Sequence, residues 1–150
     1  MSKIYIFILT VPIFVMLLFK LVTLYEYDTK QRYLKDIVDA AVQKVKITGI
    51  FTENDLEDFK NKINHIAQFD VKQNKNAILI KKCNEIEIIE DDRIEYAIEE
   101  QLNKGDVFSI CIQSSNVSNF SRVHNRGISH DDKKNLYYRA KSECRVEYVP

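Results

Sequence analysis

The sequence has little of the material from which catalytic and phosphate-binding loops are built. Only three glycines occur in 150 residues, which leaves little scope for a glycine-rich phosphate loop or a strained catalytic turn. The chain contains neither a G-x-S-x-G nucleophile elbow nor an H-E-x-x-H zinc motif. The adjacent carboxylates Asp91 and Asp92 are more typical of a solvated helix cap than of an acid–base pair. We therefore expect a protein that is not an enzyme, with no catalytic residue and no cofactor.

The chain also lacks an excess of charge and any close pair of cysteines. It has 22 basic and 22 acidic residues, so no positive field favours nucleic acid as a partner. Cys83, Cys111 and Cys144 are widely spaced, which excludes a zinc ribbon and a thioredoxin-type pair. Three reduced thiols, or one disulfide and a spare thiol, both remain open. The histidines and aspartates of the later polar segment match no standard ligand spacing, so no metal site is expected.

A long apolar run near the N-terminus is the strongest feature that is present. Ile4 to Phe19 (IYIFILTVPIFVMLLF) is interrupted only by Thr10 and Pro12, and Leu21 to Tyr25 extends it past Lys20. About 20 helical residues cross the ~30 Å hydrocarbon core of a bilayer. We therefore predict a transmembrane anchor over residues 1–25 with the lipid bilayer as a partner. The residues assigned to this membrane helix include Ile4, Pro12, Phe19 and Lys20.

Two other interpretations of this segment are weaker. A cleaved secretory signal would need a stretch of small residues after the apolar run, but Lys20 is followed by the bulky sequence LVTLYEY. A buried core helix would need a domain large enough to surround it on all faces, and only about 125 residues remain for that domain. Retention as an anchor is the better prediction.

The distribution of basic residues bears on orientation. Only Lys3 and the terminal amine precede the apolar run, whereas Lys20, Lys30, Arg32 and Lys35 follow it. The positive-inside tendency would then keep the C-terminal domain in the cytoplasm.

A second, amphipathic segment follows without any proline or glycine between the two. From Tyr27 to Ile47 the apolar residues recur at helical spacing, and Ile37 and Ala40 widen the stripe that they form. The members of this helix-packing stripe are Leu34, Val38, Ala41 and Val45. We predict one continuous helix from about Ile4 to Thr48, ended by Gly49 in the left-handed conformation. A separate helix after a break near residues 26–30 is the alternative.

The rest of the chain predicts a short helix and several strands. Thr52 is a suitable N-cap with Asp55 at the third helical position, and the apolar face of this second helix is Leu56, Phe59, Ile63 and Ile66. Asn76–Lys82 and Glu85–Glu90 suggest an antiparallel hairpin, and Val107–Gln113 alternates as a strand. Asp91 or Asp92 would begin a short helix, although a strand through Ile94, Tyr96 and Ile98 fits almost as well.

The predicted architecture is α+β, with a long N-terminal helix packed on a small antiparallel sheet and a second short helix. The expected divisions are an anchor over 1–25, a stalk helix with a small domain over 26–113, a polar loop over 114–134, and a C-terminal strand over 135–150.

This layout resembles the pilin-like proteins, and more specifically the TadE-type pseudopilins and related small anchored proteins of Gram-positive bacteria. The resemblance covers about residues 4–113. It lies in the order of a short basic start, an apolar helix, a stalk ending at Lys46-Ile47-Thr48-Gly49-Ile50, a capped helix from Thr52, and strand Val107–Gln113 after a Lys-Gly-Asp turn.

The resemblance implies a subunit or assembly component of a surface filament or secretion apparatus. Its partners would be other membrane or pilin-like subunits, bound through the N-terminal helix, and its domain would be extracytoplasmic. The alternative function is a bitopic membrane adaptor with a cytoplasmic interaction domain.

Overall fold

The structure, a computed structural model, describes residues 2–70, 77–83, 98–125 and 135–147. The helices are α1 (Ser2–Thr48), α2 (Glu53–Asn64) and α3 (Asn119–His124), and the strands are β1 (Ile78–Cys83), β2 (Val107–Val117) and β3 (Tyr137–Arg145). The strands form an antiparallel sheet in the order β1-β2-β3. This arrangement confirms the predicted α+β class, with its long N-terminal helix, small sheet and second short helix.

Helix α1 is continuous, as predicted, through the region where a break was the alternative. Ion pairs one turn apart join Glu26 to Lys30 at 2.7 Å and Asp28 to Arg32 at 2.8 Å, and such pairs support a helix at exposed positions. The helix ends where Gly49 adopts a φ of 70° and donates its N–H to a carbonyl of the last turn at 2.8 Å. Glycine adopts this left-handed conformation without the steric penalty of a Cβ.

Helix α2 begins at the predicted N-cap, Thr52, which forms a capping box with Asp55. The Thr52 hydroxyl accepts the Asp55 N–H at 3.2 Å, and the Asp55 carboxylate accepts the Thr52 N–H at 3.2 Å. Two of the backbone donors that a helix start leaves unpaired are thereby satisfied. Leu56, Phe59 and Ile63 are buried on the side that faces the core, as their spacing predicts.

The core lies between the second half of α1 and one face of the sheet. Along β2 every second residue from Phe108 to Ser114 is buried, which gives the strand one core face and one outer face. The largest completely buried side chains of this cluster come from α1 and α2, from β1 and β2, and from the segments that connect them. They include Phe51, Phe108, Leu34, Ile63, Ile80 and Leu102.

The structure differs from the predicted polar loop over residues 114–124. Strand β2 continues through Val117, and α3 follows at once. Ser114 is completely buried on the core face. Its hydroxyl tolerates burial because it accepts the Tyr138 N–H at 3.1 Å and donates to the Asn116 carbonyl at 2.8 Å. Ser118 caps α3 by accepting the Ser121 N–H. The sequence of this part of β2 and of α3 lacks the apolar periodicity by which strands and helices are recognised. Polar side chains that bond to nearby residues or across strands stabilise these elements instead.

Several predictions fall wholly or partly outside the described residues. These are the strand over Glu85–Glu90, most of the helix or strand after Asp91 and Asp92, and residues 126–134 of the polar loop. The first isoleucine-rich run does form a strand, β1, which pairs with β2. Strand β3 occupies residues 137–145 within the predicted C-terminal strand.

Candidate membrane anchor and its junction with the domain

The first half of α1 presents large apolar side chains to its surroundings. Ile4 is 64% exposed and Phe19 is 62% exposed, while Lys20 is partly exposed and Pro12 lies inside the helix. Among the described residues, α1 is the one helix whose length and hydropathy suit a membrane span, and only 6% of its most apolar 18-residue window is buried. The core helix of a soluble domain would be largely buried. This segment is therefore a candidate membrane span.

The second half of α1 is packed on the sheet through the predicted stripe. Leu34, Val38 and Val45 are completely buried, and Ala41 is half-buried. Val42, which is not a member of the predicted stripe, is 1% exposed. Its position four residues after Val38 and three before Val45 was the signal that could have identified it.

Strand β3 runs parallel to α1, and contacts join the two along their whole shared length. Residue numbers rise together along both elements, at roughly 1.5 Å per residue on the helix and 3.3 Å on the strand. The contacts are Tyr27 with Tyr137, Gln31 with Arg139, Val42 with Cys144, and Lys46 with Glu147.

Gln31 covers part of the free edge of β3. Its side-chain amide donates to the Arg139 carbonyl and accepts the Arg139 N–H at 3.2 Å. An unpaired strand edge otherwise exposes backbone groups that invite pairing with another chain. Nothing in the sequence marks Gln31 for this task, because a polar residue on the outer side of a stripe usually faces solvent.

The junction between the two halves of α1 is held by α3. Thr23 is 7% exposed, and its hydroxyl donates to the carbonyls of Phe19 and Lys20. One turn later, the Glu26 carboxylate accepts a hydrogen bond from Asn119 at 3.2 Å. The ring of Tyr27 lies 6.3 Å from that of Phe120. Helix α3 therefore packs on α1 directly after the exposed apolar segment.

The charges at this junction are paired within α1. The hydrogen bond from Lys30 holds the pKa of Glu26 below its usual value, and the same bond raises the pKa of Lys30. The Lys30 ammonium also lies 6.0 Å from the centre of the Tyr138 ring. Burial raises the pKa of Tyr138, so this phenol stays neutral at physiological pH.

A groove of about 380 Å³ lies between α1 and α2. Its lining combines aromatic and aliphatic side chains with charges of both signs. The lining includes Tyr33, Asp36, Lys44, Phe51, Asp55 and Phe59. Two of these lining residues, Lys44 and Asp55, form an ion pair. Burial acts to raise the pKa of Asp55, but its hydrogen bonds with Lys44 and Thr52 outweigh that effect and leave the pKa lowered.

The outer face of the sheet is polar and carries one of the cysteines. Cys111 is partly exposed on this face, opposite Lys141 of β3. Cys144 pairs with Phe108, a core-facing residue, and its thiol donates to the Val42 carbonyl at 3.4 Å. Cys111 and Cys144 are therefore on opposite faces, and both are free thiols. Within the described ranges, no cluster of three or more metal-binding side chains occurs.

The fold and its exposed helix define a small α+β domain carried on a candidate membrane span. The chain matches no protein-family model, no curated protein and no solved structure.

Proposed function

We propose that this chain is a non-enzymatic, single-pass membrane protein that acts as a pilin-like subunit or assembly component of a surface filament or secretion apparatus. The observation that carries the proposal is the division of α1, whose first half is apolar and exposed while its second half is packed on a sheet. Such a helix can reside in lipid and still be held firmly by its own domain.

In this proposal the apolar half of α1 has two successive environments. The bilayer shelters it first, and the apolar helices of neighbouring subunits shelter it after assembly. Lipid tails are as apolar as the helix, so the hydrophobic effect does not drive helices together inside a membrane, and their association depends on close van der Waals contact. The helix carries no acidic residue before Glu26, so contacts between subunits would be apolar. The domain would be extracytoplasmic.

Cysteine cross-linking between subunits tests this assembly directly. In a variant whose three native cysteines are replaced by serine, single cysteines are placed at Leu9, Met16 and Ile47, which are 70%, 58% and 70% exposed. Oxidation in the membranes of the native cell should cross-link Leu9→Cys or Met16→Cys to another subunit. Ile47→Cys, in the last turn of α1, is the control for random collision.

The cross-link is detected as an increase in mass, which distinguishes a dimer from a monomer. A discrete adduct at one face of the apolar segment, with none at Ile47, supports assembly through the helix. The scan is then extended to single cysteines around the full circumference of the apolar segment. If every one of them gives only monomer, the pilin-like proposal is wrong.

A bitopic adaptor with a cytoplasmic domain is the second candidate. It is favoured by the basic residues that follow the apolar run, namely Lys20, Lys30, Arg32 and Lys35. A membrane-impermeant maleimide separates the two candidates when it is applied to intact cells with Ile47→Cys as the sole cysteine. Labelling of intact cells favours the extracytoplasmic subunit, whereas labelling only after lysis favours the adaptor.

A further inference from the structure

Helix α3 lies at the end of the domain nearest the candidate membrane span. Strand β2 ends at Val117, which pairs with Tyr137 at the start of β3. The Ser118 N–H that follows donates to the Leu136 carbonyl at 2.9 Å. Because β3 runs parallel to α1, this end of the sheet is the one closest to the apolar segment.

The depth of α3 follows from the rise of α1. About 20 residues from Ile4 cross the hydrocarbon core, which brings the chain to about Thr23. Each headgroup layer adds roughly 5–7 Å, or about four helical residues. Glu26 and Tyr27 fall within that layer, and these are the residues that contact Asn119 and Phe120 of α3. With α1 spanning a bilayer as proposed, α3 is at the level of the lipid headgroups.

The side chains of α3 suit contact with a membrane surface. Phe120 stacks on His124 with ring centres 5.5 Å apart, and Arg122 is exposed. Aromatic side chains and long basic side chains are the groups that lie favourably at the interface. The short helix thus presents rings and a cation at the same depth.

Around α3 and the adjoining part of α1, the described charged side chains without an ion-pair partner are basic. Glu26 and Asp28 are each matched by a cation on α1. Among the described residues, no carboxylate lies within ion-pair distance of Lys20 or Arg122. Lys20 lies on the same side of α1 as Tyr27, because the two are separated by seven residues. Its backbone lies just inside the hydrocarbon core, and its long side chain can extend to the headgroup layer.

We infer that α3 docks on the membrane surface and that Arg122, together with Lys20, binds the phosphate groups of anionic phospholipids. This inference rests on the proposed membrane span but applies to either orientation of the domain. The contact fixes the domain against the bilayer at a second point, so that the stalk and α3 together limit its tilt and rotation. Each basic residue near an anionic surface adds about 1 kcal/mol of attraction.

Depth-dependent fluorescence quenching tests the position of α3. The chain has no tryptophan, so His124→Trp, Phe14→Trp and Ile47→Trp each introduce a single indole at an exposed site. The full chain is placed in nanodiscs that contain lipids brominated close to the headgroup or deep in the acyl chains. We expect headgroup-proximal quenching of His124→Trp, deep quenching of Phe14→Trp and no quenching of Ile47→Trp.

The three probes separate failure of the inference from failure of the proposed function. If Phe14→Trp is quenched while His124→Trp behaves like Ile47→Trp, the helix spans the membrane but α3 does not dock, and the inference is wrong. If Phe14→Trp itself escapes quenching, the membrane span is wrong as well. Circular dichroism of each variant checks that the fold is retained.

The lipid chemistry is tested by combining the His124→Trp probe with a second change. Quenching by headgroup-proximal bromine should rise as phosphatidylglycerol replaces phosphatidylcholine. Arg122→Gln should lower the ratio of docked to undocked protein about fivefold in the anionic nanodiscs. Arg145→Gln is the matched control. Arg145 is also exposed, but it follows Cys144, which contacts Val42 about 16 helical residues, or roughly 24 Å, beyond Glu26 on α1. Equal quenching in both lipids, or equal effects of the two substitutions, would overturn the assignment of anionic lipid.

Discussion

The rings of Tyr27 and Tyr138 lie with their centres 5.4 Å apart and their planes inclined by 30°. Tyr27 contacts the sheet shortly after the apolar segment, and its hydroxyl also donates to the Tyr137 carbonyl at 3.3 Å. This pair therefore links the part of α1 that leaves the domain to the strand that runs beside it.

Replacement of Tyr27 should loosen this link. Tyr27→Ala removes a half-buried ring with two aromatic neighbours, Tyr138 and Phe120, and we expect the free energy of unfolding to fall by about 2 kcal/mol. Urea denaturation of the full chain in detergent, followed by near-ultraviolet circular dichroism, measures the loss. Tyr33→Ala, at a residue 61% exposed on the same helix, should change stability by less than about 0.5 kcal/mol. Equal losses for the two variants would refute the link.

The buried helix-packing stripe of α1 should contribute strongly to the free energy of unfolding. Leu34 is completely buried, and Leu34→Ala should lower the free energy of unfolding by about 2–4 kcal/mol because it leaves a cavity between helix and sheet. The same urea measurement applies. Ile47→Ala is the control, since Ile47 is 70% exposed near the end of the same helix. A change below about 1 kcal/mol for Leu34→Ala would mean that the helix is not packed on the sheet as described.

Local signals account for the parts of the fold that the sequence predicted well. The left-handed turn at Gly49 and the capping box of Thr52 and Asp55 depend on neighbours within a few residues. Propensity, periodicity and capping are readable for that reason. The apolar segment of the candidate site was found in the same way, from composition alone.

Contacts between distant residues account for what the sequence did not predict. Ser114 is buried because it bonds to Tyr138, and Gln31 covers the edge of β3 because Arg139 lies beside it. The bond between Glu26 and Asn119 joins residues 93 positions apart. Each of these side chains is polar and looks solvent-exposed in the sequence, so neither the edge of the sheet nor the junction with α3 could be located without the fold.

The start of α2 should make the stability depend on pH in acid. The pKa of Asp55 is lowered in the folded protein despite the opposing effect of burial. A lowered folded pKa stabilises the protein fully above the unfolded pKa, which is near 3.9, and that contribution is lost as the pH falls through the folded value. Wild type should therefore be more stable than Asp55→Asn at neutral pH, and the difference should shrink below about pH 4.

The matched control for this prediction is Asp58→Asn, at an exposed carboxylate of the same helix. Thermal unfolding of wild type and both variants is compared in the same buffers, so that effects common to all carboxylates cancel. A difference between wild type and Asp55→Asn that stays constant down to about pH 2 would show that the capping box and the Lys44 ion pair do not stabilise the ionised form.

The two free cysteines of the sheet should react at different rates. The Cys144 thiol donates to the Val42 carbonyl on the core side, and burial raises its pKa, which reduces the fraction present as reactive thiolate. Cys111 lies partly exposed on the outer face. In a Cys83→Ser background, a maleimide should modify Cys144 at least about tenfold more slowly than Cys111 near pH 7. Peptide mass spectrometry after timed quenching measures both rates in one sample, and denaturant should bring them together. Equal rates in the folded protein would mean that Cys144 is open to solvent and that α1 does not cover this part of β3.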